Sequence, residues 1–104
     1  MVQLKNREEL HEYLCSVLES RHVFFKRPTY IDVEYPAIVY SRINIDEKYA
    51  NNSKYIKCEE YRVILIEDEA ESDICAKFKA DDLFKYDREY DESGLVHTVF
   101  RVTI

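Results

Sequence analysis

Glycine and proline are scarce in this chain, which has one glycine and two prolines among its 104 residues. Loops that hold phosphate groups, and the fingerprint of dinucleotide-binding folds, need several glycines close together, so the sequence excludes both. The three cysteines, Cys15, Cys58 and Cys75, lack the paired spacing of a zinc site or a disulfide framework, and we expect reduced thiols. No apolar run approaches the roughly 18 residues of a membrane-spanning helix, and the N-terminus is polar rather than signal-like. We therefore expect a cytoplasmic protein with no membrane partner.

Charged residues make up 35% of the chain, and its net charge of −6 is concentrated in one segment. Residues 67–92 hold eleven acidic and four basic side chains, a net charge of −7, while ten acidic and eleven basic side chains give the rest a net charge of +1. One interpretation is a solvated helix and hairpin edge that keep the protein soluble. The other is a surface that repels nucleic acid or binds a basic partner. Under either interpretation we expect no sequence-specific binding of nucleic acid.

Hydrophobic periodicity predicts two helices. The first covers about 7–20, and its apolar stripe consists of Leu10, Tyr13, Leu14, Val17 and Leu18. Asn6 is placed to cap this helix, with Glu9 three residues later as in a capping box. A second, weaker helix is predicted over about 70–80, where Ile74, Cys75 and Phe78 could face a sheet.

Strand patterns account for most of the remaining chain. The predicted strands are a short edge strand at Val23–Phe25, then Ala37–Ile43, Cys58–Ile66 and Phe84–Tyr90, and a last strand running to Ile104. The segment between Pro28 and Pro36 is predicted to be extended. Gly94 is predicted to take a positive φ in the turn before the last strand. The result is a single α+β domain over residues 1–104, with a largely antiparallel sheet of four or five strands backed by two helices in the order α-β-β-β-α-β-β.

The segment 44–56 shows no sustained period and contains Asn51, Asn52 and Ser53. We predict either a long loop or an extended, mobile hairpin tip there. Long ordered segments of this kind in compact domains are usually functional.

Two groups of residues have the types, but not the full pattern, of a metal site. His11 and Cys15 lie four apart on the first predicted helix, yet a tetrahedral site needs two more ligands that no spacing supplies. Asp32 with Asp46, Glu47 and Lys48 matches the residue types of a magnesium-dependent nuclease, but the basic surface that would follow DNA is missing. We expect no catalytic residue, no metal and no cofactor.

Tyrosine is abundant, with nine residues, and five of them surround the long central segment. These five are Tyr30, Tyr35, Tyr40, Tyr49 and Tyr55. Tyrosine combines a large contact area with a polar tip and is enriched at interfaces, whereas ordinary strand packing is the alternative explanation. The predicted interface to other subunits or partners consists of Tyr30, Tyr35, Asn44, Asp46, Lys48, Tyr49, Asn51, Asn52 and Tyr55.

Four sequence blocks resemble a known family. They are ELHEYLCSVLESRHVFF (Glu9–Phe25), YPAIVYSRINIDEKYANN (Tyr35–Asn52), YRVILIEDEAESDI (Tyr61–Ile74) and LVHTVFRVTI (Leu95–Ile104). In order and character they resemble the tail-completion, or minor structural, proteins that siphophages and prophages of low-GC Gram-positive bacteria encode between their head and tail genes.

The resemblance implies a tail terminator-like fold, a mixed sheet with helices on one side, and a homo-oligomeric ring, commonly a hexamer. Such a ring caps the tail tube at the head–tail junction of the virion after assembly in the host cytoplasm. The implied partners of the ring are the tail tube protein and the head-completion or connector proteins, and the resemblance implies no catalytic residue. The segment 44–56 would reach a neighbouring subunit or the tube, and the segment 67–92 could line a lumen through which DNA slides. The alternatives are a head-completion or connector component, a metal-dependent nuclease, and a monomeric adaptor that binds a host protein.

Overall fold

Two helices and five strands follow one another in the predicted order. The elements are α1 (Arg7–Leu18), β1 (Val23–Phe25), β2 (Ala37–Ala50), β3 (Ser53–Glu67), α2 (Asp73–Ala80), β4 (Lys85–Glu92) and β5 (Leu95–Thr103). They are seen in a computed structural model that describes residues 4, 6–26, 35–50, 53–69 and 72–104, with the backbone alone for 44–50 and 53–58. The predicted α+β fold is confirmed, whereas most of the predicted extended segment before Pro36 lies outside the described residues.

The five strands form one sheet in the order β1-β2-β3-β5-β4. The short strand β1 pairs in parallel with β2 and lies at one edge, as predicted, while the other pairings are antiparallel. The central strand is β3, the strand with the strongest sequence signal. At the turn between β4 and β5, Ser93 and Gly94 both have positive φ, 55° and 77°, as a type I′ hairpin turn requires.

Both helices begin at a capping side chain. Asn6 accepts a hydrogen bond from the Glu9 backbone N–H at 2.9 Å, which confirms the predicted cap of α1. At its other end α1 stops at Leu18, because Glu19 takes a left-handed conformation with φ 60°. The second helix starts at Asp73 rather than near residue 70, since Ser72 Oγ accepts a hydrogen bond from the Cys75 N–H at 3.0 Å and caps the helix there.

The segment 44–56 is not a loop. Strand β2 continues through it to Ala50, β3 begins at Ser53, and the two strands pair from Ala37↔Ile66 to Ala50↔Ser53. The loop interpretation is therefore wrong and the extended hairpin is correct. These residues hold an extended conformation because each strand supplies the backbone partners of the other, a property that the pattern of either strand alone does not contain.

The core lies between the helices and one face of the sheet. It consists of Leu10, Leu14, Cys15 and Leu18 of α1, Cys75 and Phe78 of α2, Val23 of β1, Ile38 and Tyr40 of β2, Tyr61, Val63 and Leu65 of β3, Phe84, and Phe100 and Val102 of β5. Within it the Phe78 and Phe100 rings stack at a centroid distance of 5.5 Å, and Phe84 meets Phe78 edge-on at 4.8 Å. Both predicted apolar helix faces are thus used, and the opposite face of the sheet carries no described helix.

Candidate assembly interface

The β2–β3 hairpin extends beyond the rest of the sheet. Strand β3 pairs with β5 from Glu60 to Glu67, with Glu59 bonded to Ile104 just beyond, and the pairing of β1 with β2 ends at Tyr40. We call the outer part of the hairpin, Asp46–Cys58, the arm. Its strands pair with each other, and within the described chain they have no further strand neighbour. At about 3.3 Å per residue the arm adds about 15 Å, in keeping with the longest dimension of the molecule, 52 Å.

The unpaired backbone of the arm makes it suited to contact another chain. A two-stranded ribbon is marginally stable in water on its own, and each of its outer edges presents N–H and C=O groups without a strand partner. Such an edge can bind an added strand, and the ribbon can also pack flat against a neighbouring surface. The arm is therefore a candidate assembly element on the basis of its backbone alone.

The structure places only some of the predicted interface residues together. Asp46, Lys48 and Tyr49 on β2 and Tyr55 on β3 belong to the arm, and Asn44 pairs with Glu60 at its base. Tyr30, Asn51 and Asn52 lie outside the described residues. Tyr35 is exposed, at 36%, but precedes β2 at the end of the sheet opposite the arm. The predicted set is thus not one continuous patch.

Tyr40 is a core residue and does not belong to a surplus of interface tyrosines. Its side chain is 1% exposed and its hydroxyl contacts His11 Nδ1 at 2.8 Å and Arg7 at 3.4 Å. Burial raises the pKa of this phenol. The ring packs against Phe25 at a centroid distance of 5.2 Å. For Tyr40, ordinary strand packing was the correct alternative, because both the ring and its polar tip are accommodated inside one subunit.

Tyr61 anchors the base of the arm to the core. The side chain is 0% exposed; its hydroxyl donates to Glu59 Oε2 at 2.8 Å and accepts from Arg42 at 3.2 Å. Arg42 and Glu59 are themselves 3.7 Å apart and lie on β2 and β3 just before the arm begins. Fixing both strands at this point sets the direction in which the arm leaves the domain.

The acidic segment 67–92 is solvated only in part. Glu67 at the end of β3 is 4% exposed and accepts a hydrogen bond from Ser72 Oγ, so the solvated interpretation is wrong for this residue. Burial raises the pKa of Glu67, and the neighbouring Glu69 and Asp68 carboxylates raise it further, against the lowering effect of the Ser72 hydroxyl. Asp68, Glu69 and Asp73 around it are exposed. These three define what we call the acidic end.

The two metal hypotheses have different outcomes. His11 Nδ1 is engaged by Tyr40, Cys15 is 7% exposed in the core, and the described residues include no group of three or more ligands that could hold a metal ion. Asp32 lies outside the described residues, and Asp46, Glu47 and Lys48 are described by their backbone alone, so the nuclease hypothesis is untested by the geometry. No helix in the described part of the chain is long and apolar enough to cross a membrane.

Sequence reasoning assigned no function to a second surface, the side of the sheet away from the helices, which we call the open face. Val39, Ile64 and Val99 are direct cross-strand neighbours on it. The consecutive apolar residues 63–66 on β3 and 99–100 on β5 contained the signal, because successive residues of a strand point to opposite faces. Only the register between strands, which the sequence does not give, brings the apolar positions into one row.

Comparison with known proteins adds no identification: no protein-family model and no curated protein sequence matches the chain. The resemblance to tail-completion proteins therefore rests on the four sequence blocks.

Proposed function

We propose that this chain is a structural protein of the head–tail junction of a long-tailed bacteriophage, forming a homo-oligomeric ring that ends the tail tube. The resemblance to tail-completion proteins supplies the role, and a hexamer is the ring it implies. The observation that carries the assembly part of the proposal is the arm. It leaves the domain as a paired ribbon whose outer edges have no strand neighbour in the described chain.

A ring follows from how an arm of this kind is used. If the arm of one subunit lies on a different surface of the next, the contact is heterologous, and repeating it about an axis closes a ring. The contact also compensates for the marginal stability of an isolated two-stranded ribbon. Because Tyr61, Arg42 and Glu59 fix the base of the arm, its direction is set before the contact forms.

The proposal is tested by the mass of the assembly in solution and by particle images. We expect the purified chain to form a closed ring, alone or on addition of the tail tube protein, and we expect the ring to bind the end of the tube. A ring that binds only the portal-side connector would move the protein to the head side of the junction. A chain that remains monomeric at high concentration, with and without the tail tube protein, would refute the proposal.

The role of the arm is tested by shortening it. Replacing residues 47–57 with Asn-Gly joins the paired residues Asp46 and Cys58 through a two-residue hairpin turn and leaves the core intact. We expect this variant to keep its thermal unfolding transition and to lose ring formation. The matched control is Ser93→Asn, which places the same Asn-Gly turn in the β4–β5 hairpin and keeps the arm whole, and it should assemble normally. Normal assembly of the shortened variant would remove the arm from the interface.

A further inference from the structure

The open face carries an apolar row that spans four strands. Phe24 on β1, Val39 on β2, Ile64 on β3 and Val99 on β5 are paired in direct succession, and the row ends at Arg88 on β4. Val99 is 1% exposed, whereas Phe24, Val39 and Ile64 are partly exposed. No helix of the described chain packs on this side, so the apolar surface that a partner could bury is the exposed part of Phe24, Val39 and Ile64.

A basic row runs beside the apolar row. Arg62 on β3 pairs with Arg101 on β5, which pairs with Lys85 on β4. With Arg88, the open face thus holds four cations. The described carboxylates that form ion pairs with them are Glu60 and Asp87, and both pair with Arg101, at 3.9 and 3.4 Å. The Arg62 Nε atom is buried without a hydrogen-bond partner. This face is therefore positive in a chain whose net charge is −6.

The chain also presents the opposite charge, on a different surface. Asp68, Glu69 and Asp73, the acidic end, line a depression between the C-terminus of α1 and the N-terminus of α2. All three are exposed, and none has an ion-pair partner in the part of the chain that the structure describes. They lie at the end of β3 farthest from the arm.

We propose that the open face binds the acidic end of a second copy of this chain. Charge complementarity favours this occupant, because Arg62, Lys85 and Arg88, which have no ion-pair partner in the described chain, would meet the unpaired carboxylates. The apolar row favours a protein over nucleic acid, since phosphates would leave it uncovered. Face-to-face pairing of two open faces is disfavoured, because it would bring one positive surface against another. The contact is head-to-tail, and it rests on the proposed ring.

The proposed contact between the open face and the acidic end is tested by reversing the charge of exposed residues that lie outside the arm. Arg88→Glu on the open face and Asp68→Arg at the acidic end should each lower the association constant about tenfold or more, since each replaces an attraction with a repulsion. Combining both substitutions in one chain should restore association, and so should mixing the two single variants. The control is Lys79→Glu, which changes the charge equally on the outer side of α2 and should leave association unchanged.

The outcomes separate this inference from the proposed function. A wild-type chain that never assembles refutes the ring and this contact together. Rings that form equally well in both single variants refute the contact and leave the arm-based ring intact. Loss in Arg88→Glu without rescue in the combined variant shows that the open face has another occupant, a different protein or another part of the same chain, and overturns the inference. Duplex DNA binding that Arg88→Glu abolishes, with association unchanged, would also overturn it.

Discussion

Replacing the buried carboxylate Glu67 with glutamine should change how stability depends on pH. Burial, reinforced by Glu69 and Asp68, raises the pKa of Glu67 from its ordinary value of 4.5. The folded chain therefore holds this proton at pH values where the unfolded chain has released it. The stabilisation is fully present below pH 4.5 and is lost as pH rises through the folded-state pKa.

The size of the effect follows from the proton count. One proton held by the folded state alone gives a slope of at most about 1.4 kcal/mol per pH unit between the two pKa values. Glu67→Gln keeps an oxygen that can accept the Ser72 hydrogen bond but has no charge to bury. We therefore expect the free energy of unfolding of the variant, minus that of the wild type, to increase from acidic to neutral pH and then to level off.

The assay is urea unfolding followed by circular dichroism from pH 4 to pH 8, at one protein concentration because assembly would add to the apparent stability. The matched control is Glu89→Gln, which removes the same charge from an exposed position that does not act on Glu67, and it should follow the wild-type profile closely. A difference between Glu67→Gln and the wild type that is independent of pH, or that shrinks as pH rises, would refute the account of Glu67.

Two further perturbations address the helix layer. The Tyr13 hydroxyl on α1 donates a hydrogen bond to Asp81 at the end of α2, and burial, followed by Asp81, raises the Tyr13 pKa to about 12. We expect Tyr13→Phe to lower the free energy of unfolding, measured in urea, by about 1–2 kcal/mol. The difference from the wild type should shrink as pH rises from 10 towards 12, because the wild type loses this stabilisation as Tyr13 ionises. Phe100 is 0% exposed and contacts the rings of Phe78 and Phe84. We therefore expect Phe100→Ala to lower the free energy of unfolding by about 3–5 kcal/mol, and a loss below about 1 kcal/mol would contradict the packing.

The parts of the fold that could be predicted are those whose signal is local. The start of α1 depends on Asn6 and Glu9, three residues apart, and its buried face depends on a stripe that repeats within the helix. Gly94 likewise takes its positive φ within a two-residue turn. Each of these features is decided by residues close together in the sequence, so periodicity and capping rules identify it.

The arm and the tyrosines could not be predicted in the same way. Residues 44–50 have no strand pattern of their own and extend because they pair with 53–60. Tyr40 is buried because the register places it beside Val63 under α1, where Arg7 and His11 reach its hydroxyl. Counting tyrosines in a sequence therefore overestimates the aromatic surface left for partners, since a buried tyrosine is tolerated wherever a neighbouring element supplies a polar contact for its tip.

The proposed arm contact and the proposed contact of the open face with the acidic end together give the assembly a direction. An arm alone permits either a two-fold dimer, in which two arms exchange, or a ring. Two distinct and complementary surfaces on one chain are what the proposed ring requires, since a head-to-tail contact brings the open face of one copy against the acidic end of the next. Under the proposed contact, the acidic excess of residues 67–92 would serve assembly as well as solubility, with Asp68, Glu69 and Asp73 facing Arg62, Lys85 and Arg88 of the next copy. Because the proposed contact depends on attraction between exposed charges, added salt should weaken ring closure more than it weakens the fold of each subunit.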